Sequence, residues 1–268
     1  MKYLFYRLII YLDTASENDT NYNIAWFMAN NFKRVAKMGI SELAKACFVS
    51  PATISRFCRA IGYENFAHLK QECTLYRTNS NRYTSLANVP EKDILKNPAQ
   101  ATKEYTQMVA RTIEEMNQHL DWHEIDACLK LIHDSDNVSF FGTQFSHSAA
   151  LHFQTDLMMM DKFVVAHMDV DRQIECAKGL DQNAVAIIIS VNGNYERTCP
   201  KALSLIRKSG AKSVLITSNP TIDLVRKVDH VIRIGDKAHM KMGKHTLLTV
   251  IELMACRYFA LYSHENRV

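Results

Sequence analysis

Glycine and proline are scarce in this chain, which has 8 Gly and 5 Pro among 268 residues. A sandwich of many short strands needs frequent tight turns, so this scarcity argues against an all-β protein and favours helices. The chain also lacks any run close to the roughly 20 apolar residues that cross a membrane. With 47% hydrophobic and 22% charged residues, we expect a soluble globular protein without a membrane partner.

The cysteine pattern contains neither a disulfide framework nor a metal site. The seven cysteines are odd in number, widely spread and never spaced as C-x-x-C. His147 and His152 lack the i, i+4 spacing of a helical metal site. The apolar start resembles a signal peptide only superficially, because Arg7 interrupts it and no small-x-small cleavage site follows. The sequence predicts a cytoplasmic protein without metal or cofactor.

Positive charge is concentrated at the front of the chain. Residues 1–77 hold 10 Lys and Arg against 6 Asp and Glu, whereas the remainder holds 22 of each. A polar segment with Pro90 and Pro98 follows and lacks a sustained apolar stripe. We predict a helical domain over 1–77, a linker over 78–100 and a second domain over 101–268. The charge excess indicates that the front domain meets a polyanion, although so small an excess also arises by chance.

A helix-turn-helix pattern occupies residues 40–63. Leu43 and Ala44 fall on one predicted helix and Ile54 and Phe57 on the next, with a short corner between the two. The small side chain of Ala44 lets the two helices cross closely. This spacing is typical of the DNA-binding helix-turn-helix.

The second helix of this pattern has clear start and stop signals. Ser50 can cap its free N–H groups, Pro51 suits the first helical position, and Gly62 marks its end. A major groove admits such a helix, whose N-terminal part meets the base edges, and we expect Arg59 on a backbone phosphate. A solvated helix face is the alternative for each outward side chain. The predicted DNA-binding residues are Ser50, Thr53, Ser55, Arg56 and Arg59.

This front segment resembles the N-terminal domain of RpiR-type bacterial transcription regulators. The similarity spans residues 20–77 and is carried by residues 40–44, 49–57 and 62–66. Members of that family join this domain to a C-terminal sugar isomerase (SIS) domain that senses phosphosugars. Phe48 departs from the pattern, because glycine is commoner in this turn.

Short apolar runs alternate with helix-forming segments after the linker. Each strand–helix–strand step favours a parallel pair with a right-handed crossover, and a run that is apolar throughout fits a strand covered on both faces. The predicted fold class is an all-α helix-turn-helix domain followed by an α/β domain with a five-stranded, parallel, doubly wound sheet. The predicted strands cover residues 138–141, 163–166, 184–189, 213–217 and 230–234.

Two strand-to-helix junctions carry the residues of a phosphate cradle. The first runs from Gly142 to Ser148 and the second from Ser190 to Arg197. Ligands of doubly wound sheets bind where strand ends feed helix N-termini, where hydroxyls and free N–H groups can hold an anion. An ordinary turn is the alternative for either loop alone. The predicted effector-binding residues are Gly142, Thr143, Gln144, Ser146, Ser190, Asn192, Gly193, Asn194 and Tyr195.

The second domain resembles the SIS family over about residues 101–262. In that family the first loop runs roughly G-x-G/S-x-S and the second S-x-S-G-x-S/T. The matching residues are Gly142, Ser146, Ser190 and Gly193, and the departures are Gln144, Asn192 and Tyr195. The resemblance implies a flavodoxin-like sheet, a phosphosugar ligand and an oligomer. The departures leave open a different sugar phosphate, a larger ligand or loss of ligand binding, and Arg197 could compensate as an anion clamp.

Candidates for a catalytic base exist, but none stands in a context that requires the role. A sugar isomerase or lyase would need a general base near the carbon that loses a proton. Glu196, His147 and His245 are the conceivable ones. In the SIS resemblance, the start of the last helix, where His245 stands, lies near the ligand site. We predict no catalytic residue and no enzyme.

The main hypothesis is a transcription regulator of carbohydrate metabolism whose affinity for operator DNA changes when a phosphorylated sugar binds the SIS-like domain. Helix-turn-helix readers usually act on two-fold sites, so we expect a homodimer or homotetramer. Two alternatives stay open: a rear domain that only dimerises, and a sugar-phosphate isomerase or lyase with a helical extension.

Overall fold

The structure, a computed structural model, divides into two compact units, Met1–Leu86 and Ala87–Val268. The division falls inside the predicted linker 78–100. The backbone is described for residues 2–78, 91–235 and 243–262. Residues 79–90 of the predicted linker lie outside this part of the chain.

The last part of the predicted linker is helical. A short helix covers Glu91–Lys96, and the next helix already begins at Pro98. Asn97 caps that second helix, because its Oδ1 accepts a hydrogen bond from the Gln100 N–H at 3.2 Å. Pro98 fits the first helical position, where no donor is needed. Pro98 therefore starts a helix, in contrast to its predicted place in a linker.

Helices alone form the described part of the first unit. They are α1 (Lys2–Thr14), α2 (Thr20–Asn30), α3 (Phe32–Val35), α4 (Ile40–Ala46), α5 (Pro51–Ala60) and α6 (Phe66–Thr78). Leu4 and Leu8 of α1 are buried in one core with Ile24 and Met28 of α2. The apolar start of the chain is thus a core helix of this unit.

The predicted helix-turn-helix is present as α4 and α5. Ile54 and Phe57 are fully buried on the inner side of α5. Ser50 caps α5, because its Oγ accepts a hydrogen bond from the Thr53 N–H at 3.1 Å. Phe48, in the turn between the helices, has a positive φ of 55°. This conformation explains why glycine suits the turn better than a bulky side chain.

The C-terminal end of α5 is held by a side chain from α1. The Arg7 guanidinium donates a hydrogen bond to the Ile61 carbonyl oxygen and lies 5.2 Å from the centre of the Tyr63 ring. A cation at this end also interacts favourably with the helix dipole. The first helix therefore contacts the C-terminal end of the second helix of the helix-turn-helix.

The second unit is a parallel sheet between helices, as predicted. Its strands are β1 (Val138–Phe141), β2 (Val165–Ala166), β3 (Val185–Ile189), β4 (Lys212–Thr217) and β5 (His230–Arg233). Their order is β2-β1-β3-β4-β5, and each neighbouring pair is parallel. The described helices are α7 (Glu91–Lys96), α8 (Pro98–Met116), α9 (Trp122–Asp134), α10 (Phe145–Met159), α11 (Val170–Lys178), α12 (Tyr195–Thr198), α13 (Pro200–Ser209) and α14 (Gly243–Tyr262).

Successive strand residues enter two separate cores, one on each face of the sheet. Phe140 and Ile187 belong to the core that includes α9, α10 and α14. Phe141 and Ile188 belong to the core that includes α11 and α13. Side chains alternate between faces along a strand, so a strand that is apolar throughout must be covered on both sides. The short strand β2 begins after Phe163, which is 64% exposed, and is thus shorter than predicted.

No helix within the described residues has the length and apolar character needed to cross a membrane. All seven cysteines carry free thiols. Across the described ranges, no three His, Cys, Asp or Glu side chains come together as a metal site would require.

Candidate functional sites

The outward side of α5 carries the side chains that the sequence predicts to meet DNA. Thr53 and Ser55 are partly exposed, and Arg56 and Arg59 are exposed. Arg56 Nη2 donates a hydrogen bond to Thr53 Oγ1 at 3.2 Å, and Arg59 Nε donates to the Ser55 carbonyl oxygen at 3.4 Å. Both guanidinium groups thus lie along the helix surface and keep further N–H donors free for a partner.

Ser50 has a structural task in addition to any contact with DNA. Its Oγ caps α5 and lies 3.0 Å from Thr53 Oγ1. Together with Arg56, these hydroxyls form a row of polar contacts over the first two turns of the helix. The row lies at the end of the helix that meets base edges in helix-turn-helix complexes.

The first loop of the second unit, residues 142–148, joins β1 to α10 through a close backbone approach. A β-carbon at Gly142 would lie 3.1 Å from Ser146 Cβ, so glycine lets the first turn of α10 pack against the strand end. Gln144 stands at the N-cap with φ 55° and makes no side-chain cap bond. The first N–H groups of α10 are therefore not capped by that side chain, and Thr143 and Ser146 lie beside them partly exposed.

The second loop, residues 190–195, is a tight turn after β3. The Gly193 N–H donates to the Ser190 carbonyl oxygen at 3.0 Å, and Gly193 has a φ of 78°. A β-carbon there would lie only 2.5 Å from Ile222 Cγ2. Asn192 and Asn194 are exposed on the turn. Because β1 and β3 are neighbours and parallel, both loops leave the same edge of the sheet.

Tyr195 lies on the buried side of the second loop. Its side chain is 2% exposed, and its hydroxyl donates to Gln173 Oε1 at 2.8 Å. Its N–H donates to Ser190 Oγ at 3.0 Å. Such a side chain supports the loop from within, which differs from the ligand contact predicted from the sequence.

The residue after β4 and the start of α14 reach the same edge of the sheet, and the former was not predicted from the sequence to belong to the site. Ser218 follows β4 and is 2% exposed, and its Oγ has no hydrogen-bond partner among the residues that the structure describes. Gly243, the first residue of α14, approaches so closely that a β-carbon would lie 2.3 Å from Val191 Cγ1 and 3.4 Å from Ser218 Oγ. Ser218 could have been found by the strand-end rule that identified the two loops.

Two of the candidate catalytic bases are engaged in other contacts. His147 is buried, and its Nε2 donates to the Ala166 carbonyl oxygen at 3.2 Å. Burial lowers the pKa of the His147 imidazole below its ordinary value. Glu196 is paired with Lys227, whose Nζ lies 3.3 Å from Glu196 Oε1. Both bases are thus engaged by partners that lie outside the two loops.

The third candidate base, His245, lies in the first turn of α14. Its Nε2 is 2.9 Å from the Tyr105 hydroxyl of α8. Burial lowers the pKa of the His245 imidazole, and the positive charge of the neighbouring Lys244 lowers it further. Arg197, the proposed anion clamp, is exposed on α12.

Comparisons with known proteins agree with this two-part organisation. A family model described as a helix-turn-helix domain of the rpiR family matches residues 9–80, and one described as a SIS domain matches residues 131–262. The chain is 23% identical to an uncharacterized HTH-type transcriptional regulator of Caldanaerobacter subterraneus subsp. tengcongensis, over 90% of this chain and 86% of that protein. It is 26% identical to the HTH-type transcriptional regulator HexR of Pseudomonas aeruginosa, over 75% of this chain and 69% of that protein.

A solved structure adds a similarity of fold. The Vibrio vulnificus NanR protein complexed with ManNAc-6P matches 97% of this chain and 93% of its own, with a TM-score of 0.54 and 15% identity.

Proposed function

The chain belongs to the RpiR family of transcription regulators, and from this premise we propose that a phosphorylated sugar, bound at the two loops of its SIS domain, changes its affinity for operator DNA. Family members join the same two domains that are matched here. The relatives named above are transcriptional regulators, which supports a regulatory and not an enzymatic role. Because operator DNA lies in the cytoplasm of bacteria, the proposal implies a cytoplasmic protein.

For DNA recognition, α5 enters the major groove. In this proposal Thr53, Ser55 and Arg56 meet base edges or phosphates, and Arg59 meets a phosphate. The exposed guanidinium groups and the Ser50–Thr53–Arg56 row of contacts support these roles. The excess positive charge of residues 1–77 favours a nucleic acid in the same way.

The observation that carries the effector site is the convergence of two glycine-containing loops at one edge of the sheet. Ser146 and Ser190 supply hydroxyls there, and the start of α10, which the Gln144 side chain does not cap, would attract an anion. Ser218 adds a buried hydroxyl, which has no partner within the described part of the chain. A buried donor without a partner costs free energy, which a bound phosphate or sugar hydroxyl would recover.

Regulation requires that the ligand bind one arrangement of the protein more tightly than another. A ligand with equal affinity for both arrangements would shift neither. Two-fold operator sites favour a dimeric or tetrameric protein, which is how two copies of α5 would reach successive major grooves.

A regulator whose SIS domain only dimerises is the serious alternative. It is favoured by Tyr195, whose hydroxyl is committed to Gln173 and is not offered to a ligand. Thermal melts distinguish the two, since a ligand at one hundred times its dissociation constant stabilises the folded protein by about 2.7 kcal/mol. A melting temperature that none of the phosphosugars changes would favour the dimerising role.

Footprinting on the protein's own upstream DNA tests both halves of the proposal. It is run with glucose 6-phosphate, glucosamine 6-phosphate and N-acetylmannosamine 6-phosphate, the last because the NanR structure holds ManNAc-6P. The unphosphorylated sugars are the matched controls. We expect a two-fold footprint whose half-saturation concentration changes with one phosphosugar and not with its free sugar. Absence of a footprint contradicts the DNA role, and a footprint indifferent to all phosphosugars contradicts effector control.

A further inference from the structure

A buried glutamine connects the two loops of the SIS domain. Gln173 of α11 has no exposed side-chain surface. Its Nε2 donates to the Gly142 carbonyl oxygen at 2.7 Å and to the His167 carbonyl oxygen at 2.9 Å. Its Oε1 accepts the hydrogen bond from the Tyr195 hydroxyl at 2.8 Å.

Both the NH₂ group and the carbonyl oxygen of the Gln173 amide are engaged in hydrogen bonds. The two carbonyl oxygens can only accept, so both face the NH₂ group, and the phenol must donate to the remaining amide oxygen. The orientation of the Gln173 amide is therefore determined by its partners. A carboxylate at this position would lose both donors, and an apolar side chain would remove the hydrogen bond to the buried Gly142 carbonyl oxygen.

The contacts of Gln173 form a continuous chain from one loop to the other. Gly142 begins the first loop. Tyr195 ends the second loop, and its N–H donates to Ser190 Oγ at 3.0 Å. Hydrogen bonds run from Ser190 through Tyr195 and Gln173 to Gly142, in surroundings where water does not compete with them.

We propose that Gln173 and Tyr195 are positioning residues that lock the two loops in one relative geometry, so that a phosphosugar meets a preformed cradle. The inference rests on the proposed function of those loops. The SIS resemblance implies Ser or Thr at position 195, a short side chain that would keep its hydroxyl near the loop. Tyr195 instead carries its hydroxyl to the buried amide, so that one ligand contact is replaced by a support. A preformed site binds more tightly because less ordering is needed on binding.

Hydrogen exchange of the ligand-free, full-length protein tests the lock directly. Tyr195→Phe keeps the buried ring and removes only the hydroxyl, and Gln173→Leu removes the whole bridge. Both are compared with Glu175→Gln, an exposed change on the same helix, where Glu175 pairs with Lys178 on the surface. We expect Tyr195→Phe to speed exchange in residues 142–148 by about ten-fold, the value for one lost buried hydrogen bond. Changes confined to the segment around residue 195 would indicate local packing alone and overturn the proposal.

The second measurement is affinity for the same three phosphosugars by calorimetry, at a temperature where every variant is folded. We expect either single variant to weaken binding by about ten-fold and the double variant to be no weaker, because both substitutions break one bridge. Unchanged affinity in a variant whose first loop exchanges faster would contradict the positioning role. If the unmodified protein binds none of the sugars, the proposed effector function fails, whereas the exchange data still decide whether the loops are locked.

Discussion

Thr53 Oγ1 accepts a hydrogen bond from Arg56 Nη2 at 3.2 Å on the exposed side of α5. The contact orders an arginine that would otherwise sample many rotamers, and it costs the guanidinium only one of its five donors. Part of the entropy cost of ordering the Arg56 side chain is therefore incurred before DNA binds. A side chain arranged in this way suits a specific contact better than a general attraction to charge.

Arg56→Ala should weaken operator binding by about 1–3 kcal/mol, the range for one good base contact. Fluorescence anisotropy with operator and with unrelated DNA measures the loss. Arg207→Ala on α13 of the second unit is a matched control, since it removes the same charge from an exposed helix that the proposal does not place on DNA. Equal affinities for Arg56→Ala and the control would remove Arg56 from the interface.

Arg59→Ala should flatten the salt dependence of DNA binding. If Arg59 neutralises one phosphate, its loss lowers the slope of log affinity against log salt concentration by about one unit, for operator and unrelated DNA alike. The measurement is a titration at several salt concentrations. An unchanged slope would indicate that the Arg59 guanidinium stays along its own helix, near the Ser55 carbonyl oxygen.

Phe48→Gly should stabilise the first unit by about 1 kcal/mol. The backbone at Phe48 has a positive φ of 55°, which strains a bulky residue and suits glycine, and the ring is 97% exposed and contributes little packing. Urea unfolding followed by the fluorescence of Trp26 reports on this unit when it is measured in a Trp122→Phe background, because Trp122 lies in the second unit. Phe48→Ala is the control, because it removes the ring but keeps the β-carbon and should gain much less. A loss of stability in Phe48→Gly would contradict the strain argument.

The elements most readily predicted from sequence are those whose signals are local. The run from Val185 to Ile189 is apolar throughout and forms a strand buried on both faces. Ser50 and Pro51 mark the start of α5 through contacts within one turn. The core role of α1 was not predicted, because Leu4 and Leu8 become core residues only when they pack against helices that follow later in the chain.

In the candidate loops, too, only the residues with local sequence signals could be predicted. Gly142 and Ser190 were identified because they follow apolar strands directly. Gln173 carries no sequence signal, since a polar residue in an amphipathic helix normally faces solvent, and its partners are brought to it by the tertiary fold. The direction of the Tyr195 side chain depends on that same amide. Supporting residues of this kind are visible only once the sheet is assembled.

Gln144→Gly should stabilise the second unit by about 1 kcal/mol. Gln144 has a φ of 55° and makes no cap bond, so glycine relieves strain without removing a cap. The neighbouring Thr143 does not have a positive φ, and Thr143→Gly should destabilise by a similar amount because it adds freedom to the unfolded chain. Calorimetric melting of both variants measures the difference. Two shifts in the same direction would contradict the assignment of strain to Gln144.

Gly193→Ala should destabilise the second unit and abolish phosphosugar binding. The φ of 78° at Gly193 costs a side chain roughly 1–3 kcal/mol, and the new β-carbon would lie 2.5 Å from Ile222 Cγ2 and 3.4 Å from Asn219 Nδ2, so the turn must shift. Gly179→Ala is the matched control: its φ is −85°, and its β-carbon would lie 3.5 Å from the Cys176 carbonyl oxygen, an ordinary contact.

Melting and phosphosugar titration separate the two glycines. We expect Gly179→Ala to match the unmodified protein within about 1 kcal/mol and to keep its ligand response. Gly193→Ala combined with Ile222→Ala should recover part of the stability, because only the steric part of the cost is relieved, and should not recover ligand binding. If Gly193→Ala alone binds the sugar as well as the unmodified protein, the shape of the second loop is not what holds the ligand.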